Sequence, residues 1–255
     1  MPPSVTLFSR ALDLIAPHRC LLCQQPSDLE MRLCGHCAGV LESNDGSCPR
    51  CALPHTHGSL CPACQASRES QGSKESPAVI DQIRASYVYE PVIAQLISVW
   101  KHGKDRELSL TVAKLMLISG NAPSSFDIAL PIPLHWTRQL RRGFNQSADL
   151  LEHLISLSTD LRRQSFANST SPGWRRLPRL VRTGLTAPQT GADRNTRQRQ
   201  LRRAFQARGS FSGLRVLLVD DVCTTGATAD ACACTLKEAG AAEVKLWCVA
   251  RTPLH

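Results

Sequence analysis

The run Val216-Leu217-Leu218-Val219-Asp220-Asp221-Val222-Cys223-Thr224-Thr225-Gly226-Ala227-Thr228 limits the fold more than any other part of this 255-residue chain. Four apolar residues in a row read as a strand buried on both faces, as strands of a parallel sheet are. Two adjacent carboxylates, Asp220 and Asp221, stand at its carboxyl end, and a small hydroxylic loop, residues 224–228, follows. Residues 229–239 read as a helix. Backbone N–H groups at a helix N-terminus, together with Thr hydroxyls, can hold a phosphate. Carboxylates just before such a loop can accept hydrogen bonds from sugar hydroxyls. In open α/β sheets ligands bind at the carboxyl ends of strands, where this loop lies. The pattern is a mould for a sugar phosphate. The chain has neither G-x-x-x-x-G-K-[ST] nor G-x-G-x-x-G, so the usual triphosphate and dinucleotide loops are not indicated.

The same run resembles the phosphoribosyl pyrophosphate (PRPP) signature of type I phosphoribosyltransferases. The resemblance implies that Thr224, Thr225, Gly226, Ala227 and Thr228 hold the 5′-phosphate. It implies that Asp220 and Asp221, as the catalytic pair, take the ribose 2′ and 3′ hydroxyls. Cys223 lies inside the motif, where a small residue fits, and is expected to fill space near the ligand.

Eight of the twelve cysteines lie in the first 64 residues, as four C-x-x-C pairs: Cys20/Cys23, Cys34/Cys37, Cys48/Cys51 and Cys61/Cys64. A C-x-x-C turn brings two thiolates to one metal, and tetrahedral zinc needs two such turns. Two structural zinc sites are therefore expected. Sequential pairing assigns Cys20, Cys23, Cys34 and Cys37 to one and Cys48, Cys51, Cys61 and Cys64 to the other. Interleaved pairing is the rival, and short, equal gaps favour two successive ribbons. Four disulfides would also match eight cysteines, but no secretion signal is visible, so a reducing, cytoplasmic setting is expected. His36, His55 and His57 lie near the thiols and are read as bystanders, because the cysteines already fill two tetrahedra. Residues 16–66 are poor in large apolar side chains, so metal binding would supply most of their folding free energy.

The expected organisation is an N-terminal helix and double zinc ribbon over 1–66, a polar linker over 67–78 and an α/β domain over 79–255. Strands are expected near 83–89, 127–132, 179–182, 215–221 and 243–250. Helices are expected near 92–101, 108–118, 145–157 and 229–239, the last ended by Gly240, with a basic helix over 194–205. Alternating strands and helices imply a mostly parallel sheet with flanking helices. No run of about 18 apolar residues exists, so no membrane span is expected. Residues 5–15 read as an amphipathic helix packed on the protein itself.

Charge is lopsided. Residues 136–208 contain fifteen Arg, no Lys and four acidic residues, a net of +11. The whole chain carries +9, so the remainder sums to −2. An excess made of Arg alone suits phosphate recognition, because the guanidinium fork matches phosphate oxygens. A solvated basic face is the plainer alternative. At the start of this region Pro131-Ile132-Pro133-Leu134-His135 leads into Arg141-Arg142-Gly143-Phe144-Asn145-Gln146. That is a strand, a stiff turn and a basic tip before a helix that Asn145 can cap.

The zinc pairs, this block and the 216–228 run together resemble the ComF family, a double zinc ribbon joined to a phosphoribosyltransferase-like domain. The landmarks include Tyr87, Lys101, Gly103, Asp105, Arg142 to Gln146, Gln189, Arg197, Ala204 and Phe205. The resemblance implies that Arg142 and Gly143 belong to a pyrophosphate loop and that Gln189 and Arg197 belong to a flexible loop meeting a phosphate. Gln200 departs from the Asn usual in the family, and 161–178 looks like an insertion particular to this chain. The family is associated with DNA uptake and natural transformation. That implies PRPP with magnesium as ligand, single-stranded DNA as a further partner, and a DNA-uptake helicase or translocase as a protein partner. Arg side chains interleaved with Trp136, Phe144, Trp174 and Phe205 could bind single strands by phosphate pairing and base stacking. The alternative is an active phosphoribosyltransferase of the nucleotide-salvage type, with an unidentified nitrogen acceptor.

Overall fold

The computed structural model describes residues 19–27, 31–69, 79–102, 107–134, 145–158, 178–183, 201 and 203–253. In chain order the elements are α1 (Gly35–Gly39), α2 (Pro62–Glu69), β1 (Gln82–Val88), α3 (Pro91–His102), α4 (Glu107–Ile118), β2 (Ile128–Pro131), α5 (Gln146–Leu157), β3 (Arg179–Arg182), β4 (Phe205–Arg208), β5 (Arg215–Cys223), α6 (Ala227–Glu238) and β6 (Glu243–Arg251).

One sheet organises them. Its order is β1-β6-β5-β2 and every pairing is parallel. Side chains alternate across β5 and β6, so each strand feeds two cores. Leu217, Val219, Trp247 and Val249 pack with Leu96, Trp100, Met116, Leu150 and Leu154 from α3, α4 and α5. Val216, Leu218, Val244, Leu246 and Cys248 pack with Ala229, Cys232 and Leu236 of α6 and with Leu180 and Phe205. Burial on both faces is why the strand reads as an unbroken apolar run. The aromatic polar ends are satisfied inside. Trp100 Nε1 donates to Ser109 Oγ at 2.9 Å, Trp247 Nε1 to Ser86 Oγ at 3.2 Å, and the Tyr87 hydroxyl to the Leu115 carbonyl at 2.9 Å.

The cysteine-rich segment lies along the free edge of β1. Ile83 N donates to the Arg50 carbonyl at 2.8 Å, Asn44 N to the Ser86 carbonyl at 3.1 Å, and Val88 N to the Glu42 carbonyl at 2.9 Å. An edge strand otherwise presents unpaired backbone groups. Here Cys20, Leu33, Cys37 and Leu41 also join the core of α3 and α4. The ribbons are thus docked on the sheet.

Two expectations change in detail. Phe205 does not end a helix. It opens β4, which pairs antiparallel with β3, Arg182 opposite Phe205. Its ring is buried and the Arg182 guanidinium lies 5.4 Å from its centre, so tertiary packing sets a strand at Phe205. Helix α2 continues to Glu69, through the first three residues of the expected linker. The amphipathic helix at 5–15, residues 70–78 and the basic segment at 194–200 lie outside the described residues.

Candidate functional site

The carboxyl end of β5 leads straight into α6, and a cavity opens there. It is lined by Asp220, Val222 and residues 223–229, with Leu246 behind. Thr224 and Thr225 are exposed, and Gly226, Ala227 and Thr228 are partly exposed, so the loop presents hydroxyls and the first turn of a helix to solvent. Gly226 is the N-cap of α6, at φ 83°. A side chain would find ordinary room there, since an added Cβ meets Ile83 Cδ1 at 3.8 Å and Cys223 Sγ at 4.0 Å. The requirement is therefore one of backbone conformation. We expect Gly226→Ala to lower stability by about 1–2 kcal/mol in urea unfolding, and Gly226→Asn to lose less, because Asn tolerates the left-handed region.

The acidic pair is anchored from the opposite side of the sheet. Asn145 caps α5, its side chain accepting from Ser147 N at 3.1 Å. That turn aims Ser147 Oγ at Asp220 Oδ1, 3.0 Å away. Lys101, near the end of α3, places its Nζ 2.7 Å from Asp221 Oδ2, and Gln146 Nε2 donates to the Lys101 carbonyl at 3.4 Å. Val222 N donates to Asp221 Oδ1 at 2.6 Å. Burial, then the neighbouring Asp221 carboxylate, pushes the Asp220 carboxyl up to about 8, against the pull of the Asp221 amide, Ser147 and Lys101. A carboxyl poised near neutrality beside a hydroxylic loop is a recurrent sign of a ligand site.

The thiol groups form two separate sets. In each of Cys20/Cys23/Cys34/Cys37 and Cys48/Cys51/Cys61/Cys64 the sulfur atoms all lie within 4.8 Å of one another. Cys23 Sγ lies 3.5 Å from Cys34 Sγ, and Cys51 Sγ 3.6 Å from Cys61 Sγ. Tetrahedral Zn–S bonds of about 2.3 Å would put sulfurs roughly 3.8 Å apart, which these sets match. A backbone amide faces one thiol of each set: Cys37 N donates to Cys34 Sγ and Cys61 N to Cys48 Sγ, both at 3.4 Å. Burial opposes ionisation of Cys20, yet the amides of Cys23, Cys34 and Leu22 outweigh it and bring the thiol down to about 6. The amides of Cys61, Cys51 and Arg50 bring Cys48 down to about 7 in the same way. The pairing is sequential, not interleaved. Both sets fit structural zinc.

Comparison with known proteins agrees with this geometry. Residues 11–65 match the family described as a double zinc ribbon domain, and residues 142–253 match the phosphoribosyl transferase domain. The DNA utilization protein YhgH of Escherichia coli strain K12 is 31% identical over 247 residues, spanning 94% of this chain and 99% of its own. The chain belongs to the ComF family. Two further ComF-family relatives are competence protein F of Haemophilus influenzae, 28% identical across 86% of this chain and 96% of its own, and competence protein ComFC of Bacillus subtilis, 26% identical across 87% and 85%.

Within this ComF-family chain the structure brings together Asp220, Asp221 and the whole 224–228 loop. Arg142, Gly143, Gln189 and Arg197 lie outside the described residues. Ser147 was missed in the sequence. It stands two residues past the cap Asn145, and only the packing of α5 beside β5 brings its hydroxyl to Asp220. The sequence marks Lys101 only as a landmark, and its partner Asp221 emerges from the packing of α3 across the end of β5. Cys223 is buried, as a space-filling residue should be. Among the described residues no helix is long and apolar enough to cross a membrane.

Proposed function

We propose that this protein binds PRPP at the carboxyl end of β5 and acts in the cytoplasm in the uptake and use of DNA, handling single-stranded DNA. The observation that carries the reading is the cavity lined by Asp220 and the 224–228 loop at the end of β5. The loop amides and the hydroxyls of Thr224, Thr225 and Thr228 receive the 5′-phosphate. Asp220 and Asp221 accept hydrogen bonds from the ribose hydroxyls. Lys101, which pairs with Asp221, is released from it when a sugar arrives. Magnesium, when bound with PRPP, neutralises charge on the pyrophosphate. Arg142, Gly143, Gln189 and Arg197 are proposed, by family resemblance, to meet that pyrophosphate. The names of the relatives support the DNA role.

In host cells lacking this chain, acquisition of a marked DNA fragment should fall, and be restored by the wild-type protein but not by Asp220→Asn/Asp221→Asn. Restoration by that variant would remove the sugar-phosphate site from the DNA role. A labelled single-stranded oligonucleotide should bind the purified chain with an affinity that falls about a hundredfold or more between 50 and 200 mM salt, if at least six Arg–phosphate pairs form. Salt-insensitive binding would contradict an Arg-led interface. A second reading is transfer to a nitrogen nucleophile with release of pyrophosphate. The raised Asp220 carboxyl beside Asp221 favours it, and pyrophosphate release in the presence of an acceptor is its test.

A further inference from the structure

Arg251, the last residue of β6, is only 4% exposed. It lies at the seam between the second cysteine set and the loop after β5. Strand register puts it there, with Cys223 as its neighbour on one side and Val88 on the other. Its Nε donates to the carbonyl of Cys51 at 3.1 Å. Its Nη1 donates to the carbonyl of Cys223 at 2.9 Å, to that of Thr224, and to that of Thr252 at 3.3 Å. One guanidinium therefore grips the backbone of a metal ligand and the backbone that opens the phosphate loop. A planar fork with fixed donors can do this, whereas a lysine ammonium on a flexible stem cannot span the same carbonyls.

The knuckle on the far side of this grip is itself fixed. Ala52, at φ 56° and fully buried, donates its N–H to the Cys48 carbonyl at 2.9 Å. Its own carbonyl accepts from Asn44 Nδ2 at 3.0 Å. Ala52 also shares an apolar cluster with Ile83 and Cys223. Each link in this chain has a backbone partner whose position depends on the Cys48–Cys51 turn keeping its shape.

We propose that Arg251 is a positioning residue that locks the sugar-phosphate loop to the second zinc knuckle, so that occupancy of the Cys48/Cys51/Cys61/Cys64 set governs the loop's shape and its affinity for its ligand. The affinity part rests on the reading given under Proposed function; the mechanical part does not. A thiol set without metal lets the Cys51 carbonyl move. Arg251 Nε then loses its acceptor, and the side chain no longer holds residues 223 and 224 in place. Among the described residues Arg251 makes no hydrogen bond to the first cysteine set.

The test uses full-length, zinc-loaded protein and four variants: Arg251→Lys, Cys51→Ser, Cys23→Ser and the double Arg251→Lys/Cys51→Ser. Zinc content, backbone amide exchange at residues 223–228 and affinity for PRPP with magnesium are measured on each. Arg251→Lys should keep both zinc ions, yet exchange in the loop about tenfold faster and bind PRPP about tenfold more weakly. Cys51→Ser should lose the second zinc and loosen the loop as much. Cys23→Ser should lose the first zinc and leave loop exchange as in wild type. Adding Cys51→Ser to Arg251→Lys should loosen the loop no further. Wild-type exchange in Arg251→Lys would overturn the proposal, and so would a loop loosened equally by both cysteine changes. If Arg251→Lys does not fold, the two cysteine variants decide alone. If the wild type fails to bind PRPP, the ligand reading falls and the exchange data still decide the mechanical claim.

Discussion

Stripping zinc from this protein is expected to unfold residues 19–69 while the parallel sheet survives. The segment buries few apolar side chains besides its cysteines; Leu33, Leu41 and Ala52 are the main ones. Structural zinc supplies about 10–16 kcal/mol of apparent folding free energy in small cysteine-ligated modules. That matches or exceeds the whole stability of an ordinary domain, about 5–15 kcal/mol, so nothing else in the segment can replace it. A strong chelator should release two zinc ions per chain, one from each thiol set. Protease cleavage should then appear across 19–69. The N–H groups of Ile83 and Val88, which now donate to Arg50 and Glu42, should lose their protection from exchange. Trp100 and Trp247, fully buried between the sheet and its helices, should remain shielded. Undiminished protease resistance in the zinc-free chain would contradict the assignment.

Converting both acidic residues at the end of β5 to amides, Asp220→Asn/Asp221→Asn, is expected to weaken PRPP binding by about a hundredfold or more. A hydrogen bond to Asp221, which pairs with Lys101, contributes about 1.5–3 kcal/mol and one to the protonated Asp220 carboxyl about 0.5–1.5 kcal/mol, and both are removed. The same region should show the opposite sign in stability. Burial and the neighbouring Asp221 push the Asp220 carboxyl up to about 8 in the folded chain, from about 3.9 when unfolded. A raised folded value means that the folded state holds its proton more tightly. The contribution is fully favourable below about pH 4 and is lost as pH rises through 8. Asp220→Asn removes that loss. Its melting temperature should equal wild type near pH 4 and exceed it at pH 8. A variant that loses ligand and gains stability marks a residue kept for binding. One that loses both would mark Asp220 as structural.

Much of this architecture was legible because its physics is local. The C-x-x-C turns can be read from spacing alone, and the sequential metal sets follow from short gaps that leave little chain to interleave. The run from Val216 to Thr228 announces a strand buried on both faces, then an acidic end and a glycine where φ is positive. Asn145 reads as a cap and is one. What stayed hidden depends on contacts between distant segments. Ser147 and Asp220 are far apart in sequence, as are Lys101 and Asp221, and only the packing of α3 and α5 beside β5 joins them. Arg251 sits among apolar residues at the end of a strand, where sequence offers no sign of the carbonyls it will meet. Phe205 followed a basic, helix-like stretch, and its burial against Arg182 decided for a strand.

The measurement that bears most directly on the central claim is a calorimetric titration of PRPP into the zinc-loaded protein, with and without magnesium, alongside Asp220→Asn/Asp221→Asn. The account predicts saturable binding at one PRPP per chain that needs magnesium and is lost in the variant. Absence of binding by the wild type with magnesium present, or equal binding by the variant, would contradict it.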